Sequence, residues 1–324
     1  MRVLSGVQPS GNLHIGNYFG AIRQFLALQE SPANECYYFI ADLHAMTTVR
    51  DGALLRESSW TLAVDFLALG LDPQRSVLYR QSDVPEVTEL AWMLSTVTPM
   101  GLLQRCHSYK DKVAKGVIPS HGLFAYPVLM AADILIVRSD VVPVGKDQKQ
   151  HLEVTRDIAS AFNQAYGGEI LRVPDAMILA ETAVVPGVDG NKMSKSYGNT
   201  LDIFAPESEL KKRVMGIVTD STPVADPKPT RGNTLYALLK LFTPEAEWPA
   251  VRRCFTAGGT GYGELKKRLL SRILETFGEA RARREALLSD RAHVEGVLRQ
   301  GRERAGEAIS AVMADCRRAC GLGW

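Results

Sequence analysis

The sequence predicts an α/β protein whose first part is a doubly wound parallel sheet and whose second part is helical. Three observations support this prediction. Short apolar stretches alternate with segments that repeat apolar residues at helical spacing, which is typical of a parallel sheet covered on both faces. After about residue 200 the pattern changes and helical periodicity dominates. The chain of 324 residues is also too long for one small core and suits two domains.

The predicted sheet begins with three buried strands, each followed by a helix. The first strand covers residues 2–7 and ends at "QPSGN", after which a helix follows. The second is "CYYFIADLH" at 36–44, followed by helical periodicity at 53–69. The third is "SVLYRQS" at 76–82, followed by a helix through "EVTELAWML". In such a sheet, ligands are expected where the strands end and the helices begin.

The second part of the chain is predicted to be a helical domain. A proline-rich connection at 218–233 precedes it, and beyond that connection apolar residues recur at helical spacing through to residue 313. We therefore predict a catalytic α/β domain at 1–200, a helical domain at 201–300, and a C-terminal helix at 301–324 that packs back toward the first domain.

Composition and charge are those of an ordinary soluble protein. Hydrophobic residues make up 46% and charged residues 23%, and the formal charge of +2 says little about partners. The five cysteines are scattered without a C-x-x-C pair, so we expect small buried hydrophobes, with a redox or metal role as the alternative. The amino terminus lacks the apolar core of a signal peptide, and the longest apolar run, "FAYPVLMAADILIV", is too short to span a membrane. These features predict a cytoplasmic protein with no membrane partner.

The first segment whose residues suggest ligand binding or catalysis is "SGVQPSGNLHIGNYFG" at 5–20. Here a strand runs into a glycine- and serine-containing loop, and a helix starts near His14. The free N–H groups at a helix start form a site for phosphate. His14 and Asn17 stand three residues apart, so both side chains can face one ligand, and Gly16 leaves room for it to approach the backbone. Alone, the segment is also what an ordinary capped helix looks like.

The second segment is "GNKMSKSYGN" at 190–199, which places Lys192 and Lys195 three residues apart with no acidic residue beside them. Most Lys-x-x-Lys pairs are solvated surface runs, and this motif alone leaves that interpretation open. The alternative is that the glycine- and serine-rich segment is a mobile loop whose two lysines bind phosphate.

Together the two segments resemble the signatures of the class I aminoacyl-tRNA synthetases. "HIGN" is similar to the His-Ile-Gly-His motif, and "KMSKS" matches the second signature letter for letter, in the expected order. The resemblance implies a Rossmann-like catalytic domain, whose first motif holds the adenosine and α-phosphate of ATP. It also implies that the second motif is a mobile loop whose lysines bind the leaving pyrophosphate. Asn17 departs from the pattern because it replaces the second histidine, although Asn still donates a hydrogen bond.

An acidic residue within the longest apolar run indicates the substrate. Asp133 lies in "YPVLMAADILIV", where an ionised carboxylate is costly unless it is paired. A capping or salt-bridged aspartate inside the fold is the structural alternative. The stretch resembles the tryptophanyl-tRNA synthetases, in which the corresponding aspartate accepts the indole N–H. The likeness extends over nearly the whole chain, through "SGVQPSG", "GNYFGAIRQF", "DLHA", "VPVGKDQKQHLE" and the final "GLG".

The resemblance assigns roles residue by residue. The catalytic residues it implies are His14, Asn17, Lys112, Lys192 and Lys195. The ATP-binding residues it implies are Gln8, Pro9, Ser10, Gly16, Asn17, Gly145, Lys146, Asp147, Val184, Lys192, Met193, Ser194, Lys195 and Ser196. The tryptophan-binding residues it implies are Leu4, Gly6, His44, Tyr126, Met130, Asp133, Val142, Val144 and Gln148. Leu4 stands where many bacterial relatives have Phe, and Lys146 replaces a common Glu.

The resemblance also implies cofactors and partners. ATP is a substrate with Mg²⁺ on its phosphates, and we expect no protein-bound metal or iron–sulfur cluster. The implied partners are L-tryptophan, tRNA(Trp), whose anticodon the helical domain would read, and a second copy of the chain in a homodimer.

Three alternative functions remain to be weighed. A tyrosyl enzyme shares the fold and both signatures, but usually carries Tyr at the position of Leu4 and Asp at that of Gln8. A small nucleotidyltransferase of the same superfamily is commonly much shorter and lacks the KMSKS motif. A non-catalytic paralogue often loses signature residues, whereas His14, Lys192 and Lys195 are all present here.

Two further patterns have structural and functional interpretations. The arginine runs "RARR" at 281–284 and "RQGRER" at 299–304 are solvated faces by default, and the synthetase resemblance makes contact with tRNA phosphates the alternative. His151 lies one helical turn after Asp147, and helix packing or capping is its predicted role.

Overall fold

The computed structural model describes residues 1–106, 119–145, 149–178 and 185–323. Its centre is a parallel five-stranded sheet in the order β3-β2-β1-β4-β5. This confirms the predicted doubly wound α/β fold. The strands are β1 (Arg2–Val7), β2 (Glu35–Ile40), β3 (Ser76–Arg80), β4 (Val141–Val144) and β5 (Asp175–Ile178).

Helices surround the sheet and form the second part of the described chain. A π-helical stretch (Tyr18–Ile22) joins the first two helices, and 3₁₀ turns form at Gln81–Asp83 and Lys195–Tyr197. The α-helices are α1 (Ile15–Asn17), α2 (Arg23–Gln29), α3 (Asp42–Ala45), α4 (Gly52–Leu69), α5 (Glu86–Ser95), α6 (Met100–Gln104), α7 (His121–Ile136), α8 (Lys149–Tyr166), α9 (Glu207–Met215), α10 (Thr234–Phe242), α11 (Trp248–Thr256), α12 (Tyr262–Ser289) and α13 (Arg291–Ala319). None of these helices is both long enough and apolar enough to cross a bilayer.

The second strand is shorter than predicted because an aspartate starts a helix after it. β2 ends at Ile40, and α3 begins at Asp42. The Asp42 carboxylate accepts hydrogen bonds from the backbone N–H groups of Leu43 and Ser82, both at 3.0 Å. These bonds satisfy N–H groups at the turns that follow β2 and β3. They also hold the ends of the two neighbouring strands together.

The sheet separates two hydrophobic clusters. Alternate residues of β2 belong to different clusters: Tyr38 and Ile40 to one, Tyr37 and Phe39 to the other. Because successive side chains of a strand point to opposite faces, the clusters lie on opposite sides of the sheet. The first cluster continues into the helices after residue 200, including Phe277 of α12, so one face of the sheet and the helical region share a core.

The last helix crosses the edge of the sheet. The N-terminal half of α13 packs in the first cluster through Val294 and Leu298, and its C-terminal half packs in the second through Ile309. Between them Gly301 lies against the edge strand β3, where a Cβ atom would stand 1.8 Å from the carbonyl oxygen of Leu78. Only glycine fits so close to another backbone. Gly301 and Arg304 thus contact β3, whereas the three domain boundaries and the packing predicted for residues 301–324 remain predictions.

The default interpretation as solvated faces is corrected for Arg281, Arg284 and Arg302, which are partly buried, whereas the other three arginines of the two runs are exposed. Arg281 donates to the carbonyl oxygens of Ile203 and Ala205 at 2.5 and 2.6 Å, and Arg284 pairs with the buried Asp65 at 2.6 Å. Arg302 pairs with Glu86 at 2.9 Å. These guanidinium groups fasten α12 and α13 to the rest of the fold.

Arg283 and Arg304 do the same through main-chain acceptors. Arg283 donates to the carbonyl oxygen of Ala68 at 2.9 Å, and Arg304 donates to those of Pro73 and Ser76 at 2.5 and 3.0 Å. Both side chains are exposed and keep further N–H donors, so their contact with tRNA phosphates remains a prediction.

Candidate active site

A cavity of about 570 Å³ opens where β1, β2 and β4 end. This is the position expected for a ligand in a doubly wound sheet. Ten of the residues predicted to bind tryptophan or ATP line it, namely Leu4, Gly6, Gln8, Ser10, His44, Tyr126, Met130, Asp133, Val142 and Gly145. Their contact with a ligand remains a prediction, but the fold does bring them together.

The inner end of the cavity contains a buried carboxylate with two side-chain partners. Asp133, in α7, is only 2% exposed. Its Oδ2 lies 2.8 Å from Nε2 of His44, and Gln81 Nε2 donates to Oδ1 and Oδ2 at 2.8 and 2.9 Å. Asp133 is therefore paired inside the fold, as its structural alternative expects, and it also lines the cavity.

The electrostatics of this carboxylate reflect opposing influences. Burial raises the pKa of Asp133, whereas the hydrogen bonds from His44 and Gln81 favour its ionised form and lower it. An ionised carboxylate has about four lone-pair positions. Since two side chains use only part of that capacity, Asp133 can still accept a hydrogen bond from a ligand.

The side of the cavity contains a hydrogen-bonded tyrosine–histidine pair. The hydroxyl of Tyr126 lies 2.8 Å from Nε2 of His151, and both residues line the cavity. The ring of Tyr126 also meets the ring of His44 edge-on, with centroids 6.3 Å apart. His151 therefore packs against the neighbouring helix, as predicted, and in addition lines the cavity. Its side chain reaches the cavity because α8 begins beside it.

The walls near the sheet are apolar and include one aromatic residue that the sequence analysis missed. Phe39 of β2 lines the cavity next to Leu4 of β1. Its ring covers Gly6, where a Cβ atom would stand 2.3 Å from the ring, so glycine is needed there. Phe39 also stacks on Tyr79, with ring centroids 5.9 Å apart. An aromatic wall is thus present although position 4 is Leu.

The first signature forms a reciprocal cap at the start of α1. The Asn17 N–H donates to Nδ1 of His14 at 3.3 Å, and Asn17 Oδ1 accepts from the His14 N–H at 3.1 Å. Burial, and then the charge of Lys195, lower the pKa of His14 to about 4. His14 is therefore neutral near pH 7. Because Nδ1 accepts a hydrogen bond, the ring proton is on Nε2, which remains a donor.

The second signature lies directly against the first. Lys195 Nζ donates to the carbonyl oxygens of Ser10 and Gly11, both at 3.0 Å. Partial burial lowers the pKa of Lys195, and the carboxylates of Asp202 and Asp65 oppose that shift. Lys195 is thus held at the mouth of the loop that follows β1, beside the cavity-lining Ser10.

Other residues of the second signature differ in exposure. Met193 is buried, and a Cβ atom on Gly16 would lie 3.4 Å from its Cβ. Lys192 and Ser196 are exposed, and the hydroxyls of Ser194 and Ser196 are hydrogen-bonded at 2.8 Å. Met193 therefore joins the two signatures by packing, and Lys192 remains on the surface.

A buried asparagine organises the backbone of this loop. Asn199 Oδ1 accepts from Ser194 N–H at 2.8 Å, and its Nδ2 donates to Asp189 and to the Lys192 carbonyl at 2.8 and 3.2 Å. Gly187 lies flush against it, since a Cβ atom there would be 2.3 Å from the amide of Asn199. These contacts give the loop a defined shape. The mobility expected from the resemblance remains a prediction.

The segment after the loop pairs with the start of α1. The Ile15 N–H donates to the Leu201 carbonyl at 2.9 Å, and the Ile203 N–H donates to the Leu13 carbonyl at 3.0 Å. This short antiparallel pairing sets His14 opposite Asp202. The first signature is therefore joined by main-chain hydrogen bonds to the segment that follows the second signature.

The predictions for Lys112, Lys146, Asp147, Gln148 and Val184, and for the Val144 side chain, fall outside the described residues. Pro9 is described and buried beside the cavity-lining Gln8 and Ser10.

Known proteins match this chain over almost its whole length. A family model described as tRNA synthetases class I (W and Y) matches residues 1–277. The tryptophan–tRNA ligase of Rhodopirellula baltica is 54% identical over 322 residues, which cover 99% of this chain and 100% of that protein. The ligase of the same name from Fusobacterium nucleatum is 54% identical over 306 residues, 94% of this chain and 93% of its own length.

Solved structures agree with these matches. The crystal structure of Campylobacter jejuni tryptophanyl-tRNA synthetase complexed with ADP and tryptophan is 50% identical, has a TM-score of 0.93, and covers 99% of this chain and 100% of its own. A tyrosyl-tRNA synthetase from Archaeoglobus fulgidus, at 20% identity and a TM-score of 0.68 over 87% of this chain and 90% of its own, shares the fold alone. The chain therefore belongs to the class I tRNA synthetases of the tryptophan and tyrosine group and, within it, to the tryptophan–tRNA ligase family.

Proposed function

We propose that this chain joins L-tryptophan to tRNA(Trp) in two steps, with ATP as the energy source and tryptophanyl-adenylate as the intermediate. The observation that carries the proposal is the buried Asp133 carboxylate at the inner end of an apolar-walled cavity. The cavity mouth holds Ser10, whose carbonyl binds Lys195 of the second signature. A site for an amino acid therefore adjoins a site suited to phosphates.

Tryptophan would enter with its indole toward Asp133. The remaining lone pairs of Asp133 would accept the indole N–H, while Leu4, Phe39 and Met130 would contact the ring. An acceptor that is buried and dry disfavours side chains that cannot donate, because the acceptor would then lose its water without gaining a partner. Phenylalanine would be excluded on this ground.

In the first step the tryptophan carboxylate attacks the α-phosphorus of ATP. A bond forms between the carboxylate oxygen and phosphorus, the bond from phosphorus to the bridging oxygen breaks, and pyrophosphate leaves with that oxygen. Negative charge grows on the phosphate oxygens, so pre-placed donors lower the barrier. In this proposal the His14 Nε2–H group binds the α-phosphate, and Lys195 and Lys192 bind the leaving pyrophosphate.

Mg²⁺ enters the proposal with ATP. The described residues contain no group of three or more His, Cys, Asp or Glu side chains placed to hold a metal ion. Mg²⁺ prefers oxygen ligands, keeps several waters and is commonly bound through substrate phosphates, so the proposal assigns the ion to the ATP phosphates. Bound there, Mg²⁺ would add positive charge against the oxygens of the leaving group.

In the second step a hydroxyl of the terminal adenosine of tRNA attacks the acyl carbon of the adenylate. The 2′-oxygen forms the new ester bond, the bond from the acyl carbon to the phosphate oxygen breaks, and AMP leaves, with the hydroxyl proton passing to the departing phosphate or to water. In this proposal the helical residues after 200 bind the anticodon. A cytoplasmic location follows from the same proposal, because tRNA and ATP are available there.

A homodimer completes the proposal. Trp92 on α5 is 73% exposed and Met100 at the start of α6 is 63% exposed. Large apolar side chains so exposed are what an interface between copies would cover. A single sedimenting species of twice the chain mass would support the dimer, and a species of the chain mass at micromolar concentration would contradict it.

The decisive experiment is ATP–pyrophosphate exchange with each of the twenty amino acids, for the wild type and for Asp133→Ala. We expect exchange with tryptophan alone, reduced at least about 100-fold in the variant, because His44 and Gln81 lose their buried charged partner. Asp175→Ala, which removes an exposed aspartate at the far end of β5, is the matched control and should keep full exchange. Exchange with tyrosine, or no exchange from folded protein, would overturn the proposal.

A further inference from the structure

We infer that Gln81 is a positioning residue for tryptophan specificity, in that its amide orients the Asp133 carboxylate and the His44 helix as one unit. This inference rests on the proposed function and extends it to a residue outside the cavity wall. Gln81 is completely buried and opens the 3₁₀ turn directly after β3.

The orientation of the Gln81 amide is determined by its neighbours. Its Oε1 accepts from the backbone N–H groups of Leu43 and His44 at 3.1 and 3.3 Å. Backbone N–H groups donate only, so the atom facing them must be oxygen. The amide nitrogen then faces Asp133, and both carboxylate oxygens of Asp133 are acceptors.

Three side chains thereby form a closed ring of hydrogen bonds. Gln81 Nε2 donates to Asp133 at 2.8 and 2.9 Å, Asp133 Oδ2 lies 2.8 Å from His44 Nε2, and the His44 backbone N–H returns to Gln81 Oε1. Each member belongs to a different element: the turn after β3, α7 and α3. A displacement of any one of them stretches the bonds to the other two.

The ring determines which lone pairs of Asp133 a substrate can use. Gln81 approaches both carboxylate oxygens from one side, and His44 takes a further position on Oδ2. The remaining lone pairs of Asp133 therefore point in fixed directions. Gln81 holds the carboxylate in this orientation without itself lining the cavity. Without Gln81 the carboxylate could rotate, and burial would favour its protonated form, which is a poorer acceptor for an N–H.

The test separates this role from a general structural one. ATP–pyrophosphate exchange is measured for wild type and Gln81→Met with two substrates, L-tryptophan and its benzothiophene analogue, in which sulfur replaces the indole N–H. For tryptophan we expect kcat/KM to fall about 10- to 100-fold, mostly through KM, the range for a hydrogen bond to a charged group. For the analogue, which offers no proton to Asp133, the loss should stay within about 3-fold, and KM for ATP should not change.

A second variant and a control distinguish a loss of tryptophan recognition from a general loss of folded protein. Gln81→Leu also removes the amide donor to Asp133 at similar side-chain volume and adds no charge beside the buried carboxylate, so it should show the same selectivity. Gln29→Met removes another buried glutamine, which hydrogen-bonds to Gly70, Asp72 and Ser76 near the other end of β3, and it should affect both substrates equally.

The outcomes distinguish this inference from the proposed function. Equal losses for tryptophan and the analogue in both Gln81 variants, or no loss for either, would overturn the positioning role while leaving the proposed function intact. A wild-type protein that shows no exchange with tryptophan would overturn the proposed function, and this inference with it.

Discussion

The two ends of the site are built in different ways. At the amino-acid end, where we propose that tryptophan binds, Asp133 is bound by side chains from two other elements, His44 and Gln81, and all three are buried. At the nucleotide end, where we propose that ATP binds, Lys195 binds main-chain carbonyls of a neighbouring loop, and Lys192 is exposed. In the first arrangement the buried carboxylate has its partners within the protein. In the second, the lysines are accessible to a ligand at the mouth of the cavity.

This difference assigns separate tasks to the two ends. A closed side-chain ring has few alternative arrangements, so it suits the choice between amino acids. A lysine on carbonyl oxygens is held by weaker neutral acceptors, so it can exchange them for phosphate oxygens, to which a charged donor binds more strongly. The comparison predicts that changes at the nucleotide end reduce rate and leave tryptophan binding unchanged.

The largest effect is expected for Lys195→Ala. Loss of a charged donor to the developing charge should reduce tryptophanyl-adenylate formation by about 10²- to 10³-fold. Tryptophan affinity should stay within about 2-fold, because Lys195 does not touch the Asp133 ring. Single-turnover kinetics give the first quantity and equilibrium dialysis the second.

Lys211→Ala on α9 is the matched control for Lys195→Ala, since it removes an exposed lysine away from the loop. It should leave both quantities unchanged. If Lys195→Ala weakened tryptophan binding as much as it slowed adenylate formation, the two ends would be coupled and the comparison would fail.

The next effect is a pH dependence of stability from His14. Its folded-state pKa of about 4 lies below the reference value of 6.5, so between these values the unfolded chain takes up a proton that the folded chain does not. The stability contribution is present above about pH 6.5 and is lost as the pH falls toward 4. Between pH 7 and pH 5 the loss should be about 2 kcal/mol.

Urea unfolding of the wild type and His14→Asn at the two pH values measures this contribution. Asn is a good helix cap that does not titrate, so the variant should lose about 2 kcal/mol less than the wild type over the same interval. Equal losses in both proteins would show that His14 titrates normally and that the nucleotide end is not as dry as its burial indicates.

The smallest effect is expected for Asn199→Ala. The variant loses three hydrogen bonds that shape the second-signature loop, so adenylate formation should fall about 10-fold while tryptophan affinity stays constant. Asn191→Ala removes an exposed asparagine of the same loop and should have little effect. A loss of tryptophan affinity in Asn199→Ala would mean that loop shape is transmitted to the buried end.

Much of the fold could be predicted from the sequence because its elements follow local patterns. β1 and β3 lie where buried apolar runs predicted them, with β3 giving way at Gln81 to a 3₁₀ turn. β4 and β5 were not predicted, since each has only four residues and gives little periodic signal. β2 was predicted too long, because Asp42 caps a turn through contacts with Ser82 that no local pattern shows.

The site could be predicted only where a residue type was anomalous for its surroundings. Asp133 was identifiable because a carboxylate interrupts an apolar run. Gln81 was not, because a glutamine after a strand is ordinary and its partner lies 52 residues further along the chain. The arginines of α12 and α13 were misjudged for a related reason: several bind main-chain carbonyls, which every residue type presents.

The contact between Gly301 and Leu78 has a consequence for folding during synthesis of the chain. The amino terminus of a chain leaves the ribosome first, so β3 emerges long before α13 can cover its outer edge. Gln81 follows β3 directly, and its hydrogen-bonding ring therefore belongs to a part of the sheet that stays incomplete during synthesis. The nascent chain would carry an uncovered strand edge until α13 arrives.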